Sequence, residues 1–291
     1  MIKFYKLLGT SLLIAMMTLL AGCDGGGSTT TATTGTVSMN LTDAPVDDEN
    51  VEAVYVAFSA IHYKPADANW TIEELNETRV INLLELQDGN STFLAQTELP
   101  AGQIEQVRFM IVEDECKIKL FDEEDNRSLN VPSGEQTGYK AVGGFVVPAG
   151  GNINVTADFD VRKSLVLDGK GYKLKPTIKI IDNAEVGEIN GTLSIDANNS
   201  TIIIYAYEDG TWDDNQTDPA NNFNNAITSS DATDGSFTLP WLTAGTYDLV
   251  VAGYDNIGGF ENIIGFVPDI TVNADETTSL NITDDDLVDA L

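Results

Sequence analysis

The sequence has few of the residues on which most catalytic and cofactor sites depend. It contains two cysteines and one histidine in 291 residues, too few for a Cys/His cluster with zinc-ligand spacing. The histidine, His62, is not accompanied by a G-x-S-x-G nucleophile elbow. The sequence also lacks a phosphate-binding loop and a dinucleotide-binding fingerprint. These absences give no support to zinc-dependent, nucleotide-dependent or triad chemistry, and we predict that the protein is not an enzyme.

Basic residues are also scarce, and they are unevenly placed. The chain has 15 Lys and Arg against 46 Asp and Glu, which gives a formal net charge of −31. Residues 180–291 contain 21 acidic residues and no basic one. Nucleic-acid binding needs Lys and Arg to replace counterions, and a polybasic membrane contact needs a cluster of the same residues. The scarcity of basic residues therefore argues against both. Two explanations of the acidity stay open: a hydrated, soluble surface, or ligation of Ca²⁺, which takes about six to eight oxygen ligands.

The apolar run near the N-terminus is too short to span a bilayer. It covers residues 7–20 and is interrupted by Gly, Thr and Ser, whereas a spanning helix needs about 20 apolar residues. It follows Lys3 and Lys6, and a basic start, an apolar run and a small-residue site are the order of a secretory signal. Its end, Leu19-Leu20-Ala21-Gly22-Cys23, resembles the lipobox of bacterial lipoproteins. That resemblance implies cleavage before Cys23 and acylation of the Cys23 thiol.

We therefore predict a lipoprotein signal peptide over residues 1–22 and a lipid-anchored Cys23. Residues 23–36 are small, polar and without pattern, which predicts a flexible tether. Two or more acyl chains would give the stable membrane attachment that one chain does not. The expected location is the cell envelope, facing the periplasm or the exterior. The choice between inner and outer membrane stays open, although Asp24 resembles the retention signal of enteric bacteria.

Between residues 37 and 183 apolar and polar residues alternate, which is typical of half-buried strands. The alternating segments are 37–41, 54–58, 107–111, 118–120, 153–161 and 172–180. The last is the predicted partner of the segment before it. No long segment has a helical period, and only Leu83–Leu86 is expected to form a helical turn. This region therefore predicts an all-β domain.

Several separated motifs in this region resemble an uncharacterised domain of envelope lipoproteins, the domain of unknown function 4382. They are Leu-Thr-Asp-Ala-Pro at 41–45, Val-Pro-Ser-Gly-Glu-Gln-Thr-Gly at 131–138, Asp-Phe-Asp at 158–160 with Lys-Ser at 163–164, and Tyr-Lys-Leu-Lys-Pro at 172–176. The resemblance spans roughly Thr36 to Ile181. It implies a secreted β domain and no particular activity.

Asp158 and Asp160 are expected on the polar face of the strand at 153–161. If that strand forms a hairpin with residues 172–180, these acids lie opposite lysines, including Lys179. Each such cross-strand pair contributes about 0.2–1 kcal/mol. The alternative is that Asp158 and Asp160 belong to a polar binding face. Replacing Asp160 with Asn separates the two interpretations, because only the second predicts a loss of ligand with stability intact.

A second β domain is predicted where the basic residues stop, with the boundary between residues 183 and 184. Residues 234–251 predict strand, turn and strand, with alternating inward side chains. Their D-G-x-F…L-x-A-G-x-Y pattern resembles the carboxypeptidase regulatory-like, or transthyretin-like, β-sandwich. That resemblance covers about Val186 to Ile282 and implies an accessory module, sometimes grouped with carbohydrate-binding folds. The predicted domains are therefore 37–183 and 184–291, two β-sandwiches (Ig-like or transthyretin-like) after the signal peptide and tether.

The loop after the strand at residues 202–207 is long, acidic and rich in Asn, and long loops are often functional. Its candidate Ca²⁺ ligands are Asp209, Asp213, Asp214 and Asp218. The spacing lacks the central glycine and terminal glutamate of an EF-hand. Trp212 in this loop and Trp241 further along are candidates for stacking on a sugar ring. A solvated loop, a Ca²⁺ site and a sugar contact all stay open.

These patterns together predict a lipid-anchored envelope protein with a non-enzymatic binding or display role, such as binding a carbohydrate or a surface. Its expected partners are the membrane, through the lipid, and a glycan or another envelope protein; nucleic acid is not expected. No cofactor other than Ca²⁺ is expected. The alternatives are a structural or adhesive spacer stiffened by Ca²⁺ and, less favoured, a polysaccharide hydrolase, since two acids in a cleft are sufficient for that chemistry.

Overall fold

The computed structural model describes residues 33–43, 50–121, 123–132, 134–169, 171–219 and 221–289. Within these ranges the protein is all-β, as the alternation predicted. The predicted signal peptide, Cys23 and most of the predicted tether lie outside the described residues. The first strand begins at Thr34, inside the segment predicted to be tether. The helices in the described ranges are all too short or too polar to cross a membrane.

The strands in chain order are β1 (Thr34–Thr42), β2 (Val51–Pro65), β3 (Thr71–Asn82), β4 (Thr92–Pro100), β5 (Gly102–Ile111), β6 (Lys117–Leu120), β7 (Arg127–Ser128), β8 (Tyr139–Lys140), β9 (Phe145–Val147), β10 (Asn152–Phe159), β11 (Leu165–Asp168), β12 (Gly171–Leu174), β13 (Ile178–Asp182), β14 (Val186–Ser194), β15 (Thr201–Glu208), β16 (Thr228–Asp231), β17 (Ser236–Thr243), β18 (Gly245–Tyr254), β19 (Phe260–Val272) and β20 (Thr277–Thr283). The short helices are α1 (Gly134–Thr137) and α2 (Val161–Ser164). Turns of 3-10 helix cover Leu83–Leu86, Glu113–Glu115, Asn183–Glu185, Asp214–Thr217 and Asp284–Asp286. The helical turn predicted at residues 83–86 is confirmed.

The N-terminal half, residues 34–182, is a sandwich of two sheets. Sheet 1 has the order β13-β10-β1-β4, and β1 pairs parallel with β10 and antiparallel with β4. Sheet 2 has the order β7-β6-β2-β5-β8, with β3 on β2 and β9 on β5. Between the sheets, Phe159 packs edge to face on Phe58 and Phe109, with ring centroids 5.6 and 6.5 Å apart. Each such aromatic contact adds about 0.5–1.5 kcal/mol to the stabilisation from burial.

Two predicted strands end earlier than the alternation indicated. β10 ends at Phe159 because the Asp160 side chain caps α2, accepting a hydrogen bond from Lys163 N at 3.0 Å. The predicted strand at 172–180 is divided at Pro176, since proline has no N–H to donate to a ladder. β13 pairs with β10, whereas β12 pairs with β11. The prediction of a single hairpin is therefore wrong. Of the predicted cross-strand pairs of acids and lysines, only Asp158 opposite Lys179 is present in the register.

The C-terminal half, residues 186–283, is a second sandwich. Sheet 3 has the order β17-β14-β20, and sheet 4 has the order β16-β15-β18-β19. The predicted strand, turn and strand are confirmed as β17 and β18, but the two strands belong to different sheets, so the turn crosses the sandwich. The side chains predicted to point inward are all buried in one hydrophobic cluster; they are Phe237, Leu239, Tyr247, Leu249 and Val251.

Sheet 4 is covered on both faces, which explains the continuous apolar run of β15. Ile204 and Ala206 face sheet 3. Tyr205 and Tyr207 face the other way, into a second cluster that includes Phe223 from the long loop. The rings of Tyr205 and Phe223 are stacked, with centroids 4.2 Å apart. The loop predicted to be solvated, calcium-binding or sugar-binding thus supplies part of a core.

The two halves share the arrangement of strands around their first strand. In each half the first strand, β1 or β14, lies between an antiparallel and a parallel neighbour. The Leu-Pro-Ala-Gly turn at 99–102 joins β4 to β5, and the Leu-Thr-Ala-Gly turn at 242–245 joins β17 to β18. Both turns carry the chain from one sheet of a sandwich to the other. The repeated turn motif therefore occupies equivalent positions in the two halves.

The hydrophobic clusters change over near the predicted domain boundary. The cluster of the N-terminal half extends to Ile180, and that of sheets 3 and 4 begins at Ile189. Residues 32–291 nevertheless form one compact unit. The boundary at residues 183 and 184 stays a prediction.

Candidate functional site

Trp241 lies at the junction between the two halves. Its Nε1 donates a hydrogen bond to Thr42 Oγ1 at 3.2 Å, from sheet 3 to sheet 1. A second contact joins Ser230 to the N-terminal half, where Ser230 Oγ donates to Asp88 Oδ1 at 2.9 Å. Burial raises the pKa of the Asp88 carboxyl, and this hydrogen bond opposes that shift. These contacts fix the position of the Trp241 indole relative to sheet 1.

A third set of contacts comes from α2. Arg162 Nη2 and Lys163 Nζ both donate to Ala226 O, at 3.3 and 3.2 Å. The Arg162 guanidinium also lies 5.7 Å from the centroid of the Tyr205 ring, a cation–π contact across the junction. Asp160 is 6% exposed and orients this helix: it caps α2, and its Oδ2 lies 3.0 Å from Lys163 Nζ. In this arrangement Asp160 supports the junction, and its predicted role in ligand binding stays a prediction.

Asp158 faces a small enclosed space at the same junction. It lies between Thr42 of β1 and Lys179 of β13, and its Oδ1 is buried without a hydrogen-bond partner among the described residues. The cavity has a volume of about 10 Å³, at the lower limit for one water molecule. Burial, the largest cause, and the neighbouring Asp160 raise the pKa of Asp158 to about 7, although the cations Lys179, Lys163 and Arg162 lower it. The cavity is lined by Asp43, Asp158, Lys179, Ile181, Ile227, Thr228, Pro240 and Trp241.

Trp241 also lines a larger open groove of about 370 Å³ beside this cavity. The groove is lined by Gly89, Asn183, Val186, Gly187, Glu188, Pro240, Trp241, Asp275, Glu276 and Thr277. The β14–β17 register shifts between Gly187 and Ile189, so that Pro240 and Trp241 form a bulge opposite Glu188. Trp241 has a φ of 60°, in the left-handed region that a bulky residue rarely adopts. Bulges re-aim side chains next to functional sites, and this one turns Trp241 toward the groove.

Two of the carboxylates in this groove are oriented by hydrogen bonds. Thr277 Oγ1 donates to Glu188 Oε1 at 2.9 Å. Asn273 Nδ2 donates to Glu276 Oε2 at 3.0 Å. Each carboxylate retains acceptor capacity beyond these bonds. The groove therefore combines an indole ring with carboxylates that can accept hydrogen bonds from hydroxyl groups.

Trp212 has a different environment. Its ring packs on Tyr207, Phe223 and Phe266, with centroids 5.1, 6.0 and 5.6 Å away. It is half-buried and anchors the long loop to the outer face of sheet 4. This packing accounts for its position without a ligand, and its predicted sugar contact stays a prediction.

The structure brings one of the predicted Ca²⁺ ligands together with two acids that were not predicted. Carboxylate oxygens of Asp209, Asp248 and Asp269 all lie within 4.8 Å of one another. Asp248 is 2% exposed and accepts hydrogen bonds from Gly210 N at 2.8 Å and Asp269 N at 3.2 Å. Asp248 could have been selected from the sequence, because it is an acid between the apolar residues Tyr247 and Leu249 of β18.

The other predicted ligands do not join this group. The Asp213 side chain caps the turn at Asp214–Thr217, accepting from Asn215 N at 2.9 Å. Asp214 belongs to that turn, and Asp218 follows it. A Ca²⁺ site made by all four predicted acids stays a prediction.

The most exposed of the three tryptophans, Trp70, was not among the predicted site residues. Trp70 is 37% exposed and contacts His62 and Arg108 on the outer face of sheet 2. His62 itself lies on β2 and is half-buried. His62 and Trp70 are close in the sequence and meet through the β2–β3 hairpin, whereas the pairing of β2 with β5 brings Arg108 to them.

Comparison with known proteins identifies part of the chain. Residues 34–176 match the family model Domain of unknown function (DUF4382). The sequence has no match among curated proteins. Among solved structures it is similar to the Bacillus anthracis TIE protein, with 12% identity and a TM-score of 0.20 over 86% of this chain and 34% of that one. The chain thus spans about a third of the TIE protein.

Two pilins are also similar. The minor pilin GBS52 of Streptococcus agalactiae has 10% identity and a TM-score of 0.21, over 84% of this chain and 94% of that one. The major pilin subunit of Bacillus cereus has 10% identity and a TM-score of 0.21, over 86% and 70%. Similarity at this level carries no conclusion about function. The family match covers residues 34–176, which is the part of the chain that contains the separated motifs.

Proposed function

We propose that the protein is a lipid-anchored, non-enzymatic envelope protein that binds a carbohydrate in the groove at the junction of its two halves. The observation that supports this proposal best is the position of Trp241. Its side chain lines the groove from a β-bulge with left-handed backbone geometry. Strained backbone of this kind costs about 1–3 kcal/mol and tends to occur at functional sites.

The size and chemistry of the groove fit a short glycan. Its volume of about 370 Å³ is within the range of ligand sites, roughly 300–1,000 Å³, and such sites occur preferentially where two structural units meet. An indole offers a flat apolar surface to the apolar face of a sugar ring. Glu188 and Glu276 would accept hydrogen bonds from sugar hydroxyls, because their neighbours already hold them in place.

The experiment is a glycan array with the purified chain, followed by titration of any neutral glycan that binds. Glu188→Gln and Glu276→Gln are expected to weaken binding about tenfold each, since a hydrogen bond to a charged group contributes about 1.5–3 kcal/mol. Glu261→Gln, outside the groove, is the matched control and should bind normally. An array that is blank for every glycan class rejects the proposed carbohydrate binding.

Trp241 needs its own control, because its indole also joins the halves. Thr42→Val removes the acceptor of the Trp241 hydrogen bond and leaves the indole in the protein. If Trp241→Ala abolishes glycan binding while Thr42→Val retains it, the ring acts as a contact surface. Equal losses of glycan binding in both variants would mean that Trp241 acts only by joining the two halves.

The lipid anchor and the nature of the C-terminal half are also part of this proposal. The lipobox resemblance at residues 19–23 supports acylation of Cys23, and the D-G-x-F…L-x-A-G-x-Y pattern supports a carboxypeptidase regulatory-like sandwich. Intact-mass spectrometry of the protein from membranes is expected to give a chain that begins at an acylated Cys23. An unmodified thiol at that position would disprove the anchor.

A second candidate function is a spacer stiffened by Ca²⁺. It is favoured by the approach of Asp209, Asp248 and Asp269 to within 4.8 Å, because three carboxylates repel one another unless a cation or protons neutralise them. Ca²⁺ is expected to raise the melting temperature of the wild type and not that of Asp248→Asn. Asp196→Asn, an exposed acid outside this group, is the matched control and should keep the response. A wild-type midpoint that is the same in Ca²⁺ and in chelator would dismiss this function.

A further inference from the structure

A row of four side chains crosses the outer face of sheet 2. In the strand register Ile72 of β3 lies opposite His62 of β2, His62 opposite Arg108 of β5, and Arg108 opposite Lys140 of β8. Directly paired residues point to the same face of a sheet, and adjacent strands are about 4.8 Å apart, so the row is about 14 Å long. We call Ile72, His62, Arg108 and Lys140 the cationic row.

The row points away from the core. The residues on either side of His62 and Arg108 are Ile61, Tyr63, Val107 and Phe109, and each is 0% exposed in the hydrophobic cluster between the sheets. Because successive side chains of a strand alternate between faces, His62 and Arg108 face outward. Ile72 is 52% exposed, an apolar side chain left on the surface of an acidic protein.

Trp70 lies over the middle of the cationic row. The Arg108 guanidinium is 4.8 Å from the centroid of the Trp70 ring, and the His62 ring meets it edge to face at 6.4 Å. Arg108 is further oriented by Gln106 Oε1, to which its Nε donates at 2.9 Å, and by Thr137 O at 3.2 Å. An indole and a guanidinium are thus held together on an open sheet, and Trp and Arg are the residues most enriched at binding hot spots.

The charge of the row is unusual for this chain. Arg108 and Lys140 lie directly opposite each other, and like charges so placed are destabilising. The chain has 46 acidic residues against 15 basic ones, yet neither cation forms an ion pair with the acidic side chains that the structure describes, among which the ion pairs are Arg127 with Glu123 and Lys163 with Asp160. A ligand that carries negative charge would relieve this repulsion.

We propose that the cationic row, with Trp70 above it, binds a polysaccharide that carries carboxylate groups. An Arg guanidinium recognises a carboxylate with two parallel hydrogen bonds, and Lys140 supplies a second positive charge about 5 Å further along the row. The exposed surfaces of Trp70 and Ile72 provide an apolar platform for a sugar ring. This inference rests on the proposed envelope-facing binding role but uses a surface different from the groove at Trp241.

The geometry favours a polysaccharide over an acidic peptide. Extended peptides bind sheets mainly by adding a strand at a free edge. β2 has β3 on one side and β5 and β6 on the other, and β5 lies between β2 and β8. The backbone groups in the middle of the row are therefore already paired. In the middle of the row a ligand can contact only side chains, and a chain of flat sugar rings with regularly spaced carboxylates fits that requirement.

The acidity of the rest of the protein predicts a specific salt dependence. Two acids close to the row in the register and the turn are Glu74, two residues along β3 from Ile72, and Asp67, in the turn before Trp70. At about 0.01 M salt the Debye length is roughly 30 Å and the whole negative chain repels a polyanion, whereas at about 0.15 M it is roughly 8 Å and the row acts locally. Affinity should therefore rise from low to physiological salt and fall again near 1 M.

The test is a binding titration of the whole purified chain with oligogalacturonates, in chelator so that Ca²⁺ bridging is eliminated. The double variant Arg108→Gln, Lys140→Gln is expected to bind at least about tenfold more weakly, and Trp70→Ala about tenfold more weakly, because these variants remove the charge-assisted and the cation–π contacts. The double variant Lys117→Gln, Lys175→Gln removes the same charge from exposed positions outside the row and should bind like the wild type. Thermal midpoints verify that each variant is folded. Arg108→Lys keeps the positive charge but loses the paired N–H donors of the guanidinium, so it should give an intermediate loss of affinity.

Three further ligands determine the class of partner. Neutral dextran should not bind to the row, and poly-glutamate and dextran sulfate should bind more weakly than oligogalacturonate. The proposal is overturned if oligogalacturonate does not bind, if the control variant loses as much affinity as the row variant, or if either of the other polyanions binds equally well. Glu188→Gln, in the groove, should leave oligogalacturonate binding unchanged. A failure of the groove and a failure of the row are therefore distinguishable.

Discussion

The clearest consequence of the junction is that Asp158 opposes folding at neutral pH. Its Oδ1 is buried without a hydrogen-bond partner among the described residues, and burial raises its pKa from 3.8 to about 7. Asp158→Asn removes the charge and keeps the shape of the side chain. We expect this variant to be more stable than the wild type at pH 8.

The magnitude follows from the shift in pKa. Each pKa unit corresponds to about 1.4 kcal/mol, so a rise from 3.8 to about 7 destabilises the ionised folded protein by on the order of 4 kcal/mol. Below pH 3.8 the carboxyl is protonated in both states and contributes nothing. Between pH 3.8 and 7 the folded protein holds a proton that the unfolded chain has released, so stability from this group falls as the pH rises. Above pH 7 the full penalty is present.

The assay is urea unfolding of wild type and Asp158→Asn at pH 4.5, 6, 7 and 8. The difference in unfolding free energy should grow by about 3 kcal/mol between pH 4.5 and pH 8, from about 1 to on the order of 4 kcal/mol. Asp196→Asn, an exposed acid, is the matched control and should parallel the wild type at every pH. A constant difference across the series, or an Asp158→Asn protein that is less stable at pH 8, would refute the reasoning. The second result would mean that Lys179 stabilises the charge more than burial disfavours it.

Three further predictions concern stability and use urea or thermal unfolding. Phe159→Ala should cost about 3–5 kcal/mol, because the ring is fully buried between the sheets, whereas Phe93→Ala, 50% exposed, should cost far less; similar losses would contradict the packing. Asp160→Ala should cost about 1–2 kcal/mol through loss of the α2 cap, and Asp160→Asn much less, since Asn also caps; equal losses would show that the cap is unimportant. Trp212→Ala should destabilise the long loop and raise its susceptibility to protease, and an unchanged digestion pattern would show that the aromatic cluster does not hold the loop.

The alternation of apolar residues predicted the local structure well where one face of a strand meets a core. β1 is such a case: Val37, Met39 and Leu41 are all 0% exposed, and they are the residues that the pattern assigned inward. The strand, turn and strand at 234–251 was also predictable, because its periodicity and its Ala-Gly turn agree.

Features that depend on long-range pairing could not be predicted in this way. Nothing local distinguishes a turn within one sheet from a turn that crosses between sheets, as at Ala244-Gly245. The same limit applies to the candidate sites, since Asp209 and Asp248 meet only through the pairing of β15 with β18. A single Pro176 was sufficient to divide a strand that the alternation alone made continuous.

The position of β1 has a mechanical consequence. β1 begins the described chain and yet lies in the interior of sheet 1, bonded along its length to β4 and to β10. A pulling force applied through the residues before Thr34 would act along the strand, so that the hydrogen bonds on both sides are loaded together in shear and cannot open one after another. Forced unfolding is governed by the barrier to rupture, so this geometry would give the chain high resistance to drag if the proposed lipid anchor at Cys23 holds it.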